Sequence, residues 1–206
     1  TVTKVSDAEV SIEATFDPDV TGRVTVTSAG ERFVLRFVPA TDVRPVAMLR
    51  VRPRADATEG FYGLGEWFDE VNHRGKLRPM QLELDLGVES GSTENHVVTP
   101  FVLGTRGWGL FVESNRYGVF SLGRGGEDDL VDTMWGTAEQ SGEGLTVHLF
   151  TAAQPLDLLK PYLEVTGAVR LPSPWAWGPL LWRDESRDQA EVLDDVATLR
   201  RLDLAT

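Results

Sequence analysis

A formal charge of -12 over 206 residues, from 32 acidic and 20 basic side chains, repels phosphate backbones and anionic lipid and argues against nucleic-acid or membrane-surface partners. A composition 41% apolar and 25% charged is that of a globular chain, large enough for one sizeable domain or one with part of a second. No apolar run approaches the roughly 18 residues of a membrane helix. The absence of cysteine excludes disulfides, thiol catalysis and Cys-type zinc sites without fixing the compartment.

The chain opens Thr-Val-Thr and stops at Leu202-Asp-Leu-Ala-Thr206 inside an element, so it is expected to be a piece of something longer. From Val10 to Arg52 it alternates in the manner of half-buried strands, with strands predicted over residues 24–27, 33–38 and 47–51. Asp17-Pro-Asp-Val-Thr-Gly22 shares the opening of an EF-hand loop, but its twelfth position is Ser28 where such a loop needs Glu, so it reads as a turn.

The stretch Gly60-Phe-Tyr-Gly-Leu-Gly-Glu-Trp-Phe-Asp69 is the most distinctive in the chain. Its glycines let another backbone approach a strand that carries aromatic mass. Glu66 and Asp69 set carboxylates beside Trp67 and Phe68, a pairing that suits the apolar face and hydroxyl rim of a sugar. The same residues are also ordinary sandwich-core material. Residues 80–95 are long, acidic and turn-rich between clear strands, as a functional loop would be.

Strands are then predicted over 97–103, 108–112, 117–121, 130–135 and 145–150, which completes a sheet-on-sheet architecture. Gly123-Arg-Gly-Gly126 lacks the Lys-Ser/Thr and following helix of a phosphate cradle and reads as a loop tip. The period changes at Gln154, where Pro155 and Gly167 bracket a helix expected to bend at Pro161. A proline-stiffened linker over 171–178 leads to the apolar run Pro179-Leu-Leu-Trp182, read as a strand buried on both faces.

Ser186 and Gln189 have capping-box spacing ahead of a helix whose stripe is Val192, Val196, Leu199 and Leu202. Strand, loop and helix make one βα unit. If that unit begins a barrel, Arg183, Asp184 and Glu185 follow a strand's C-terminal end and face the active site; alternatively, these acids simply favour a helix N-terminus. His73, His96 and His148 are dispersed, read as surface or loop residues, and offer no metal-ligand spacing.

Four stretches in order resemble glycoside hydrolase family 31, the α-glucosidase and α-xylosidase family. They are Tyr62-Gly-Leu-Gly-Glu66 with Arg74-Gly-Lys76, Thr99-Pro-Phe-Val-Leu103 with Arg106-Gly-Trp-Gly-Leu-Phe-Val112, Tyr162-Leu-Glu-Val-Thr-Gly167, and Leu171-Pro-Ser-Pro-Trp-Ala-Trp-Gly178. The resemblance implies a mainly β chain: a galactose-mutarotase-like β-sandwich with a connecting helix over residues 1–166, then a linker and the first strand and helix of a truncated (β/α)8 barrel over 167–206. A whole barrel takes about 250 residues.

By the same resemblance the parent is a retaining α-glycosidase, whose two carboxyl groups stand about 5 to 5.5 Å apart across the scissile bond. Both catalytic aspartates of the family lie beyond this chain, so the fragment alone is expected to be inactive. The resemblance puts Asp85 in a sandwich loop that contacts sugar hydroxyls. It puts Asp184 and Glu185, where the family more often has an aromatic side chain, along the substrate pocket. The expected partners are an α-linked oligosaccharide or glycoside and the rest of the barrel, with no cofactor and no metal. A non-catalytic carbohydrate-binding sandwich is the alternative; a mutarotase or epimerase would need a positioned acid/base pair.

Overall fold

The computed structural model describes residues 2–17, 20–40, 46–81, 95, 97–125, 131–136, 144–178 and 185–204. The chain divides into two compact units, Thr1–Thr166 and Gly167–Thr206.

Among its described residues the first unit has twelve strands: β1 Val2–Lys4, β2 Glu9–Asp17, β3 Val20–Ala29, β4 Arg32–Pro39, β5 Met48–Val51, β6 Phe61–Gly65, β7 Leu77–Met80, β8 Val98–Gly104, β9 Trp108–Glu113, β10 Gly118–Leu122, β11 Val131–Gly136 and β12 Leu145–Thr151. They form an eight-stranded sheet in the order β1-β2-β3-β4-β12-β9-β8-β6 and a four-stranded sheet in the order β5-β11-β10-β7. Every described pairing is antiparallel.

Alternation explains how the sheets meet. Along β11, Val131, Thr133 and Trp135 are buried while Asp132, Met134 and Gly136 are half-buried. Those inward residues join Phe120 and Leu122 of the small sheet against Phe61, Val102, Leu110, Val112, Leu145 and Val147 of the large one. Each large apolar side chain buried this way contributes about 1.5 to 3 kcal/mol. Thr133 is tolerated because its hydroxyl donates to the Val119 carbonyl at 2.9 Å and accepts the Trp135 indole N–H at 2.6 Å.

The outer face of the large sheet carries a second apolar cluster. Phe101, Phe111 and Phe150 pack there with Leu158, Tyr162 and Val165, the last two from α1, Leu159–Thr166. Tyr162 stacks on Phe101 at 4.2 Å and meets Phe111 edge-on at 5.4 Å. As a result β9 is buried on both sides, which is why Gly109-Leu-Phe-Val112 reads as a continuous apolar run.

Two readings of this unit change. β7 covers a stretch for which no strand was predicted, and it tolerates Pro79 because it is an edge strand whose described partner is β10. The bend foreseen at Pro161 is absorbed earlier, in a 3-10 turn over Pro155–Leu158; Pro161 itself sits in the first turn of α1, where its missing N–H costs no bond. Gly167 ends the helix at φ 100°, as foreseen.

In the second unit a 3-10 turn spans Pro174–Trp177 and α2 spans Gln189–Arg201. The cap is Asp188, two residues beyond the Ser186 expected. Its carboxylate accepts the Glu191 N–H at 3.0 Å, and the Glu191 carboxylate accepts the N–H of Arg187, one residue ahead of the cap, at 2.7 Å. Val192 and Val196 stay 43% exposed, and Trp175 and Trp177 are 83% and 70% exposed. The expected strand at 179–182 lies outside the described residues.

Candidate functional site

The aromatic stretch folds as an irregular edge. Gly63, Leu64 and Gly65 all take positive φ, and the register against β8 shifts between Gly63 and Gly65. Both glycines are required: a Cβ on Gly63 would overlap the Phe101 carbonyl, and one on Gly65 the Val97 carbonyl. The close backbone approach read from these glycines is thus present.

Of the sugar-facing set read from Glu66, Trp67, Phe68 and Asp69, Trp67 and Asp69 are committed within the fold, while Phe68 is 56% exposed. Trp67 packs on the main core, donates its indole N–H to the Leu64 carbonyl at 3.0 Å, and has the Arg78 guanidinium 4.3 Å from its ring centre. Asp69 is held by Arg78 at 2.7 Å and Lys76 at 3.3 Å. Burial works against ionisation of Asp69, but hydrogen bonds from Arg78, the Glu70 N–H and Lys76 outweigh it and hold the carboxyl well below the usual carboxylate range. Ring and carboxylate are committed to each other's neighbours, which is the sandwich-core alternative.

Two histidines also depart from expectation, because both are buried and partnered. His73, 3% exposed, places Nε2 2.9 Å from the Gly63 carbonyl and Nδ1 3.2 Å from the Arg78 Nε. Burial lowers its pKa, the Gly63 bond opposes that, and the Arg78 charge adds to it. His148 pairs with Glu113 at 3.0 Å and lies parallel to Phe150. Their low exposure arises from partners supplied by other parts of the fold, which a scan for local spacing does not reveal.

Of the candidate substrate-binding residues, Asp85 and Asp184 lie outside the described residues, while Glu185 is exposed ahead of α2. The described flanks of the Asp85 segment are firm: Met80 is buried at the end of β7, and Asn95 is 2% exposed. The end of the sandwich from which that segment departs also carries the turn Ser114–Arg116, since Val98 begins β8 where Glu113 ends β9. Two clefts, of about 510 and about 310 Å³, adjoin at this turn. Arg36, Glu113, Asn115 and Thr146 line the larger with the Phe111 ring. Glu113 is the one carboxylate among its described lining residues. That set can hold hydroxyl groups, whereas two-carboxylate glycoside hydrolysis needs a second acid. Among the described residues no group of three His, Asp or Glu could hold a metal ion.

No family model matches the chain. In sequence it is 29% identical over 133 residues to the alpha-xylosidase XylQ of Lactiplantibacillus pentosus, which covers 65% of this chain and 16% of the xylosidase. In fold it is similar to a cycloalternan-forming enzyme from Listeria monocytogenes solved with a pentasaccharide substrate, at TM-score 0.70 and 18% identity over 98% of this chain and 20% of that one. A GH31 sulfoquinovosidase from E. rectale solved with an aza-sugar inhibitor aligns at TM-score 0.65 and 17% identity, over 96% of this chain and 30% of that one. A Flavobacterium johnsoniae GH31 dextranase solved with glucose gives TM-score 0.65 and 16% identity, over 97% and 29%.

The fold is therefore a two-sheet antiparallel β-sandwich of the kind found in glycosidases. In sequence and in fold the chain is similar to the N-terminal portion of glycoside hydrolase family 31 proteins. It spans less than a third of each of these relatives.

Proposed function

We propose that the chain is the N-terminal part of a retaining α-glycosidase that hydrolyses α-linked glucosides or xylosides. The sequence similarity to an alpha-xylosidase carries this reading. Residues 1–166 are a galactose-mutarotase-like sandwich, and residues 167–206 open a catalytic (β/α)8 barrel. Asp85 accepts hydrogen bonds from sugar hydroxyls, Asp184 and Glu185 line the pocket, and both catalytic aspartates belong to the remainder of the barrel. The exposed Trp175 and Trp177 and the half-covered stripe of α2 support a further layer of protein over the second unit.

The test compares the full-length protein with the 206-residue chain on aryl α-glucosides and α-xylosides, with product anomers followed by NMR. Turnover with retained configuration by the full-length protein alone is the expected result. Inversion, or turnover by the short chain that survives repurification, overturns the assignment. A full-length protein that binds oligosaccharide without cleaving it establishes the non-catalytic reading.

A further inference from the structure

Arg36, Thr146 and Glu113 stand side by side across β4, β12 and β9, because Thr146 is the register partner of both of the others. Directly paired residues of antiparallel strands share a face, so a guanidinium, a hydroxyl and a carboxylate form one row on the outer face of the large sheet. With Asn115 and the Phe111 ring they line the cleft of about 510 Å³, a size usual for small-molecule sites. Among the described residues nothing pairs with the side chains of Arg36, Thr146 or Asn115. The fold leaves these donors and acceptors unused.

Glu113 is held from beneath. Its side chain is 60% exposed, yet one carboxylate oxygen lies 3.0 Å from Nε2 of His148, which is itself 5% exposed and neighbours the Phe111 and Phe150 rings at 5.6 and 6.2 Å. The second oxygen has no partner among the described residues. An exposed carboxylate is ordinarily free to swing, and ordering it subtracts from affinity; here a buried imidazole has already fixed it. The open carboxylate repels phosphate and other anions, and the unpaired Arg36 repels cations. A neutral ligand whose hydroxyls both donate and accept matches the whole set.

We propose that this row is a sugar-binding site on the sandwich itself, which takes a neutral pyranoside and is separate from any catalytic pocket. Glu113 accepts from sugar hydroxyls, Arg36 and Asn115 donate to sugar oxygens, Thr146 does either, and the Phe111 ring meets C–H groups. The site draws on none of Asp85, Asp184 and Glu185. Only the choice of α-linked sugars as ligands rests on the activity proposed above.

The experiment titrates the 206-residue chain, labelled with 15N, with maltotriose, isomaltotriose and isoprimeverose, and follows amide shifts. At least one sugar should move the signals of Arg36, residues 111–116 and Thr146, and R36A and N115A should each weaken its binding roughly tenfold. E113A should remove binding; if it does not fold, R36A and N115A, exposed and unpaired, decide the matter. No response to any of the three sugars, shifts confined to other residues, or unchanged binding by R36A and N115A overturns the proposal. So does tighter binding of inorganic phosphate at the same amides, which would make the cleft an anion site. A silent cleft beside turnover by the full-length protein overturns this inference alone. Sugar binding here without turnover by the full-length protein upholds it and overturns the catalytic reading.

Discussion

Arg78 donates its Nε hydrogen to His73 Nδ1 at 3.2 Å, so the single proton of the imidazole sits on Nε2 and goes to the Gly63 carbonyl at 2.9 Å. Fold and tautomer are locked together, because a second ring proton would have to displace the guanidinium. Burial, with the Arg78 charge beside it, keeps the folded-state pKa below that of a free imidazole. The unfolded chain therefore takes up the proton first. This contribution to stability is complete above about pH 6.5 and is lost as pH falls through the folded-state pKa. Urea midpoints of the 206-residue chain should decline as pH falls below about 6.5, and His73→Gln should flatten that part of the profile. Parallel profiles for the two proteins would refute the assignment. Asp69 works in the same direction at lower pH, and its contribution disappears as pH falls below about 3.9.

Gly65→Ala should destabilise the sandwich by about 3 kcal/mol or more, since the new methyl meets the Val97 carbonyl in a backbone conformation already costly for alanine. Gly30 supplies the control, with φ 65° and open space around it. Gly30→Ala should cost only about 1 to 2 kcal/mol, the left-handed penalty alone. Equal losses in chemical denaturation would show that overlap at Gly65 is relieved by movement.

Glu59 is 2% exposed, and its two oxygens accept the Arg106 and Asp56 N–H groups at 2.8 and 3.2 Å. Glu59→Gln must turn an amide NH2 toward one of these donors. A loss of about 1 to 3 kcal/mol follows from a buried donor left unpaired, read as a lower Tm with unchanged secondary structure by circular dichroism.

Leu158→Ala empties a fully buried site on the outer face of the large sheet and should cost about 2 to 4 kcal/mol. Tyr162→Phe keeps the ring stacked on Phe101 and should change stability by less than about 1 kcal/mol. A large effect of the second substitution would mean that the hydroxyl, not the ring, holds α1.

Asp85→Ala in the full-length protein should lower kcat/KM by an amount equivalent to about 1 to 3 kcal/mol while the unfolding midpoint stays put. A shifted midpoint with unaltered kinetics would make Asp85 a structural residue.

The sheet was legible wherever one face is buried, because alternation along β11 is a direct imprint of burial. β7 was not legible: Leu77-Arg-Pro-Met80 shows no alternation, and its burial comes from Arg78 turning inward to His73 and Trp67. The same contact explains why Trp67 was misread as part of a sugar-facing surface. Arg78 lies eleven residues beyond Trp67, and nothing local announces that it will cover that ring. The helix start was found and its cap misplaced by two residues, since Ser186 and Asp188 both offer an N-cap oxygen and only the backbone path decides between them. Glu185 is exposed ahead of the helix, while Asp85 and Asp184 were placed by family likeness together with the long acidic loop around the first and the strand end expected before the second.

The double burial of β9 determines where the polypeptide can be severed. A chain ended after Thr151 would keep every described strand, yet it would strip Leu158 and Tyr162 from Phe101, Phe111 and Phe150 and leave an oily patch on an otherwise finished sandwich. Such a fragment should self-associate. A cut between Thr166 and Gly167 leaves that roof in place, so the helix that looks like the beginning of a connector is the last part of the sandwich to be discarded.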